Sequence, residues 1–277
     1  MTASTIGPVF VAVAAAGAEV SRGYRRGMSG DADIARISAL IGEPSRARVL
    51  MALADGRALP AGVLADEAGV SASTISEHLR MLLDAHLVDV ERLGRTRRYR
   101  LAGPPVAEAL EAIARIAPPE PVRSLRQGTH AHALRRARTC YNHLAGRLGV
   151  ALMAALVQDG VLIGAHSPGP AVDRFAAPGR DVEYRLTPRG AGTLHGLGVD
   201  LDALRGRRIP VRYCLDWSEQ RHHLAGPLGT ALTDRLFAMG WIRRTGRRRV
   251  VVLTDAGRTG LGRLGVPDDW DAAAAAS

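Results

Sequence analysis

The sequence predicts a mainly α chain with small β-hairpins, an α+β protein in two parts. Three observations carry this prediction. Apolar residues recur at three- and four-residue spacing across residues 34–83, strict alternation replaces that period over residues 87–101, and a segment near residue 143 returns eighty residues later.

The 277 residues, 47% of them hydrophobic, suffice for two ordinary cores. All 37 basic residues are arginine, and the formal charge is +10. Arginine's planar fork suits phosphate and guanine edges, which makes nucleic acid the first partner to consider. The two cysteines, Cys140 and Cys214, are too few for a disulfide framework and fit a reducing, cytoplasmic setting. The apolar run "PVFVAVAAAGAEV" at residues 8–20 is too short to span a bilayer and follows no basic residue, so no membrane partner is expected. Residues 1–30 are expected to be a disordered arm or a mis-assigned start, and residues 271–277 a tail, within a final "DDWDAAAAAS" expected to fray.

The first part covers residues 31–117. "DADIARISALIG" places Ile34, Ile37, Leu40 and Ile41 on one helical face, and Pro44 permits a second helix with Val49, Leu50 and Leu53 inward. A short helix carrying Leu64, Ala65 and Ala68 then ends at Gly69, which can adopt the left-handed turn. Ser71 or Ser73 can cap the next helix, which buries Ile75, Leu79, Leu82 and Leu83. Its first turns present Ser71, Ser73, Thr74, Ser76, Glu77 and Arg80 outward. Small hydroxyl side chains there allow close approach to a major groove.

The alternating segment "LVDVERLGRTRRYRL" turns at Gly94 and reads as a hairpin wing bearing Arg92, Arg95, Arg97, Arg98 and Arg100. Residues 31–117 hold 11 Arg against 12 Asp and Glu, so the positive wing stands out from a near-neutral segment. Segregated charge beside a helix-turn-helix points to DNA, with the wing on phosphates or in a minor groove.

These residues resemble the ArsR-type winged-helix regulators, through "SRARVLMALADG", the stretch "LADEAGVSASTISEHLRMLLDAHLV", and a hairpin ending at Tyr99 and Leu101. Ser76, His78 and Leu79 match the family's Ser-x-His-Leu. The resemblance covers less than a third of the chain. It implies a homodimer meeting a palindromic double-stranded operator, with Ile34, Ile37, Leu110 and Ile113 as dimer candidates. Two departures matter. Pro60 and Gly62 stand where metal-sensing members carry Cys-x-Cys, and the last helix of this part offers only Glu108 and Glu111.

"APPEPVR" marks the expected joint, and residues 118–270 are read as a sensor and dimer domain. At an offset of eighty, ten of eighteen positions from His143 and from His223 are identical, within "HLAGxLGxAL". Later stretches, "LTPRGAGTLHGLGV" and "LTDAGRTGLGRLGV", match at an offset of 67. The loop at residues 165–181 absorbs the difference. The unit is helix, hairpin, helix, so this part is expected to be two winged-helix-like repeats related by a pseudo-two-fold. Residues 118–277 hold 23 Arg against 14 acids. The cluster Arg243, Arg244, Arg247, Arg248 and Arg249 is read as a solvated face, ahead of a phosphate contact or an anion pocket.

Cys140 and His143 have C-x-x-H spacing, and Cys214 and His223 stand near the second helix start. These four residues could form a Cys2His2 site for a metal such as zinc, or the two thiols a redox switch, while structural histidines and buried free cysteines are the plainer reading. Cys214, Asp216 and His223 also contain nucleophile, acid and base types. The expected function is a homodimeric transcriptional regulator, a repressor modulated by an unidentified effector. The alternative is a thiol-dependent enzyme fused to a winged-helix module, although no nucleophile elbow or phosphate loop supports catalysis.

Overall fold

The computed structural model describes residues 31–118, 120–166, 182–204 and 211–272. The expected arm at residues 1–30, residues 167–181 of the expected loop and residues 273–277 lie outside the described residues. Two compact units are present, Met1–Ala39 and Leu40–Ser277, and the expected joint at residues 117–123 falls inside the second.

Helix α1 (Ile34–Ile41) buries no residue. Helix α2 (Pro44–Leu53) begins where the Glu43 carboxylate accepts the Ser45 and Arg46 amides, with Pro44 in the first turn, where its missing N–H costs nothing. It buries Val49, Leu50, Ala52 and Leu53. After strand β1 (Leu59–Pro60), helix α3 (Ala61–Ala68) ends at Gly69 with φ 69°, the left-handed conformation that ends the helix with a hydrogen bond to Ala65 O. Helix α4 (Ala72–Asp84) is capped by Ser71, whose Oγ accepts the Thr74 amide; it buries Ile75, Leu79 and Leu82. Leu83 is only half-buried.

The wing is strand β2 (Val88–Leu93) antiparallel to β3 (Thr96–Leu101), with β1 on the other edge of β3. Helix α5 (Pro104–Ile116) follows and buries Ala107, Leu110 and Glu111. Leu110, 5% exposed, belongs to the protomer core and leaves the set of dimer candidates, whereas Ile34, Ile113 and Ile116 are exposed.

Helix α6 (Leu125–Arg136) leads into a pattern of hairpin, helix, hairpin, helix that occurs twice. The first copy is β4 (Arg138–Cys140), β5 (His143–Ala145), α7 (Gly146–Gln158), β6 (Leu162–His166), β7 (Val182–Leu186) and α8 (Pro188–Gly196). The second is β8 (Arg212–Leu215), β9 (His222–Ala225), α9 (Gly226–Ala238), β10 (Ile242–Arg244), β11 (Val251–Leu253) and α10 (Asp255–Gly262). The leading hairpin of each copy is an addition to the helix, hairpin, helix unit expected from sequence. Its first-copy strands are buried at every position, so no apolar alternation marks them.

The repeated leucines are core. Leu148, Leu152 and Leu156 of α7 join Leu228, Leu232 and Leu236 of α9 in one cluster with Leu194, Ile242 and Leu261. Each such burial contributes about 1.5–3 kcal/mol, and the six positions recur at the same places in both copies. The halves are also stitched across: Leu144 N donates to Thr233 Oγ1 at 2.9 Å.

The arginine cluster differs from its sequence reading. Arg249 is 6% exposed and pairs with Glu111 of α5, Arg248 pairs with Glu67 of α3, and Arg244 lies 3.9 Å from the buried carboxylate of Asp55. Only Arg243 and Arg247 are exposed without such a pair. Three of the five arginines therefore bind the second repeat to the helix-turn-helix segment. The chain end is tied as well. Trp270 is buried, and Asp271 pairs with Arg136 at 2.6 Å and Arg147 at 3.6 Å, so the expected fraying does not begin before Asp271.

Candidate functional site

On the outside, the start of α4 carries the hydroxyl residues expected to meet DNA. Ser71, Ser73, Ser76, Glu77 and Arg80 are exposed and Thr74 is half-buried. Ser71 Oγ lies 2.8 Å from Ser73 Oγ and 2.9 Å from Thr74 Oγ1, a local network that fixes the first turn. Ser76 donates to Ala72 O at 2.8 Å, leaving its lone pairs outward. Arg80 pairs only with exposed Asp84, at 3.1 Å, a contact that costs little to exchange for a phosphate. His78, by contrast, turns inward to within 3.6 Å of Glu43 and supports the fold.

In the wing, Arg92 stands directly opposite Arg97 in the β2–β3 register, while Arg98 stands opposite Glu91. Arg92, Arg95 and Arg97 are exposed at the tip, and Arg98 is half-buried. The five wing arginines are thus unequal: Arg92, Arg95 and Arg97 present unneutralised charge, whereas Arg98 faces Glu91 and Arg100 lies 4.0 Å from Asp89.

On the inside, the second set of residues singled out from sequence converges. One ligand-type atom from each of Cys140, His143, Cys214 and His223 lies within 4.8 Å of the others. Cys140 is the cross-strand partner of His143 in β4–β5, and Cys214 that of His223 in β8–β9. Each hairpin therefore supplies one thiol and one imidazole side by side. The two imidazole rings are 5.2 Å apart, centroid to centroid.

The surroundings orient these groups. Asp216 is fully buried; its Oδ2 accepts the Gly146 amide at 2.7 Å and lies 3.3 Å from His223 Nδ1, while its Oδ1 accepts from Arg138 at 2.9 Å. His143 Nδ1 is 3.4 Å from Asn142 Oδ1. The Nε2 atoms of both buried histidines have no hydrogen-bond partner. Burial pulls the His223 imidazolium down, but Asp216 and Cys140 outweigh it and raise its pKa to about 9. The hydrogen bond with Cys214, then burial, pushes the Cys140 thiol up to about 12. Such a thiol is a poor nucleophile.

Sequence reasoning missed the partners of this cluster. Asp216 was read only as an acid type, and Arg138, Asn142 and Glu111 carried no role. Two residues separate Cys140 from His143, yet eight separate Cys214 from His223, and the longer turn is where Asp216 lies. That inequality was the available signal. Beside the cluster opens a cleft of about 1120 Å³ whose lining includes Glu111, Arg115, Cys140, His143, Tyr213 and Cys214.

A helix-turn-helix domain family matches residues 41–91. An uncharacterised HTH-type transcriptional regulator of Bacillus subtilis strain 168, YdfF, is 40% identical over 227 residues, covering 82% of this chain and 94% of that relative. The chain belongs to the HTH-type transcriptional regulators.

CmtR of Mycobacterium bovis, also an HTH-type transcriptional regulator, is 37% identical over 83 residues, 30% of this chain and 70% of CmtR. The NMR structure of the cadmium metal-sensor CMTR from Mycobacterium tuberculosis shares 34% identity, covers 34% of this regulator and all of that chain, and has a TM-score of 0.27. The helix-turn-helix regulator reading made from the residues is borne out, as is the DNA-binding regulatory role. Family membership gives the enzyme alternative no support. Among the described residues no helix is long and apolar enough to cross a membrane.

Proposed function

We propose that this regulator acts as a homodimeric, sequence-specific repressor in the cytoplasm. Ser71, Ser73, Thr74, Ser76, Glu77 and Arg80 of α4 enter the major groove of a palindromic operator, and Arg92, Arg95 and Arg97 hold the wing on the backbone or in the minor groove. Residues 118–270, the two winged-helix-like repeats, form the sensing part. The observation that carries this reading is the Arg92–Arg97 pair. Like charges directly opposite on two strands destabilise a hairpin, and a phosphate between them turns that cost into attraction. Arg98, facing Glu91, takes a smaller part than its neighbours. The exposed apolar side chains of Ile113 and Ile116 on α5 support a covering partner helix from a second copy.

Electrophoretic mobility shift with the DNA upstream of the regulator's own coding sequence tests the reading. Retention that survives a large excess of unrelated duplex is the expected result. Equal retention of the unrelated pool at every salt concentration overturns it.

A further inference from the structure

Four side chains of two types converge on one buried point, and three features make that point a built site. The donors arrive as two cross-strand Cys–His pairs from matching hairpins. Both histidine Nε2 atoms are buried without a hydrogen-bond partner, while each Nδ1 has an oxygen beside it, from Asp216 and from Asn142. His143 Nδ1 is hydrogen-bonded to Asn142 Oδ1, and His223 Nδ1 lies 3.3 Å from Asp216 Oδ2 without completing a hydrogen bond. Each ring thus has an oxygen beside one nitrogen and the other nitrogen bare, which resembles the outer-shell support of metal-ligating imidazole. The bordering charges are already matched, Asp216 with Arg138 and Glu111 with Arg249.

We propose that Cys140, His143, Cys214 and His223 form a tetrahedral Cys2His2 site for a thiophilic divalent cation of the zinc class, and that its occupancy controls the helix-turn-helix. The chemistry selects that class. Two thiolates neutralise a divalent cation, so the loaded site adds no net charge to a buried region whose other ions are paired. Magnesium and calcium require oxygen donors, which the four ligands do not offer. Binding forms two sulfur–metal and two nitrogen–metal bonds, and the two thiol protons, together with the proton that a charged His223 carries on its ligating nitrogen, leave to solvent. The cleft along Cys140, His143 and Cys214 provides the entry path.

Control follows from what flanks the first hairpin. Tyr141, between the ligands Cys140 and His143, donates its amide to Ala54 O at the end of α2, at 2.8 Å. Thr139, on the other side of Cys140, accepts from Arg249 Nε at 3.0 Å, and the same guanidinium holds Glu111 of α5. The hairpin is thus fastened to two helices of the DNA-binding segment. Tetrahedral zinc with sulfur and nitrogen ligands needs donor separations of roughly 3.3–3.8 Å, against the spread of up to 4.8 Å seen here. Loading draws the four donors into that closer set, and the first hairpin carries the shift to Ala54 and Arg249.

This inference rests on the regulatory reading only in its second half, and the test separates the two. Reduced full-length protein is titrated anaerobically with cobalt(II) chloride. A tetrahedral visible spectrum with sulfur charge-transfer bands should saturate at one cobalt per chain and be bleached by zinc(II). His143→Asn and Cys214→Ser should each lose the spectrum while keeping the wild-type circular dichroism. Absence of a saturating spectrum from the wild-type chain, or persistence of its sulfur bands in Cys214→Ser, overturns the site. Metal-free and zinc-loaded protein are then compared on operator DNA, where occupancy should change affinity by roughly 5- to 150-fold. Equal affinities overturn the control while leaving the cobalt result standing. If neither form retains DNA, the regulatory reading and the control fall together.

Discussion

A β-carbon on Gly229 would lie 3.3 Å from the β-carbon of His143 and 2.7 Å from Leu224 O. Its counterpart, Gly149, bears the same relation to His223, at 3.5 Å, and to Leu144 O, at 2.5 Å. The helix of each half thus gives up a side chain so that the other half's histidine can approach. This reciprocity explains why "HLAGxLG" keeps both its histidine and its second glycine in the two copies.

Substituting Gly229→Ala forces the α9 helix away from both β9 and β5, and overpacking of that kind costs about 1–3 kcal/mol. Gly192→Ala in α8, where a β-carbon meets nothing within 4 Å, should instead stabilise by about 0.5–1 kcal/mol. Urea denaturation of the two variants measures the contrast. Equal stability of both would remove the close approach as the reason for Gly229.

The wing predicts an asymmetric salt dependence. Arg92→Ala with Arg97→Ala should weaken operator and unrelated DNA alike and lower the slope of log affinity against log salt by roughly 2. Arg98→Ala, whose cross-strand partner is Glu91, should change the slope by less. Fluorescence anisotropy over a salt series reads both, and an unchanged slope in the double variant takes the wing off the DNA.

Capping and base contact separate at the start of α4. Ser71→Ala removes the acceptor of the Thr74 amide and should cost about 1 kcal/mol of stability together with DNA affinity. Ser73→Ala removes no cap and should lower operator affinity with stability nearly unchanged. Thermal melts paired with binding curves distinguish the two. A Ser73→Ala variant with full affinity for its operator would place that hydroxyl outside the interface.

The Glu111–Arg249 pair tests how the second repeat is joined to α5. Both side chains are buried, 9% and 5% exposed, and removing one partner strands the other's charge. Glu111→Leu should therefore destabilise by about 3–5 kcal/mol. Adding Arg249→Met should restore most of that loss, because a buried pair replaced by apolar groups of similar size is often neutral. A double variant as unstable as the single one in urea denaturation would contradict the pairing.

Local patterns made much of the chain legible. Gly69 at a helix end, Ser71 at a helix start, and the alternation across Gly94 each report a backbone requirement met within a few residues, and each lies where it was expected. The leading hairpins were illegible for a local reason: strands of three or four residues, mostly buried, carry no period. The arginines of residues 243–249 misled for a longer-range reason. A run of like charge reads as solvated until its partners Asp55, Glu67 and Glu111, all more than a hundred residues earlier, are brought beside it.

By itself the sequence determined the winged helix-turn-helix, the arginine-bearing wing, and the duplication that supplies a core helix twice, because periodicity, caps and repeated residues are properties of the chain. Only the tertiary structure decided that Cys140, His143, Cys214 and His223 meet, and that Asp216 and Glu111 flank them. Convergence depends on hairpin register and on two glycines that let the halves cross-pack, and neither distance nor packing across seventy residues is written in any short stretch of sequence.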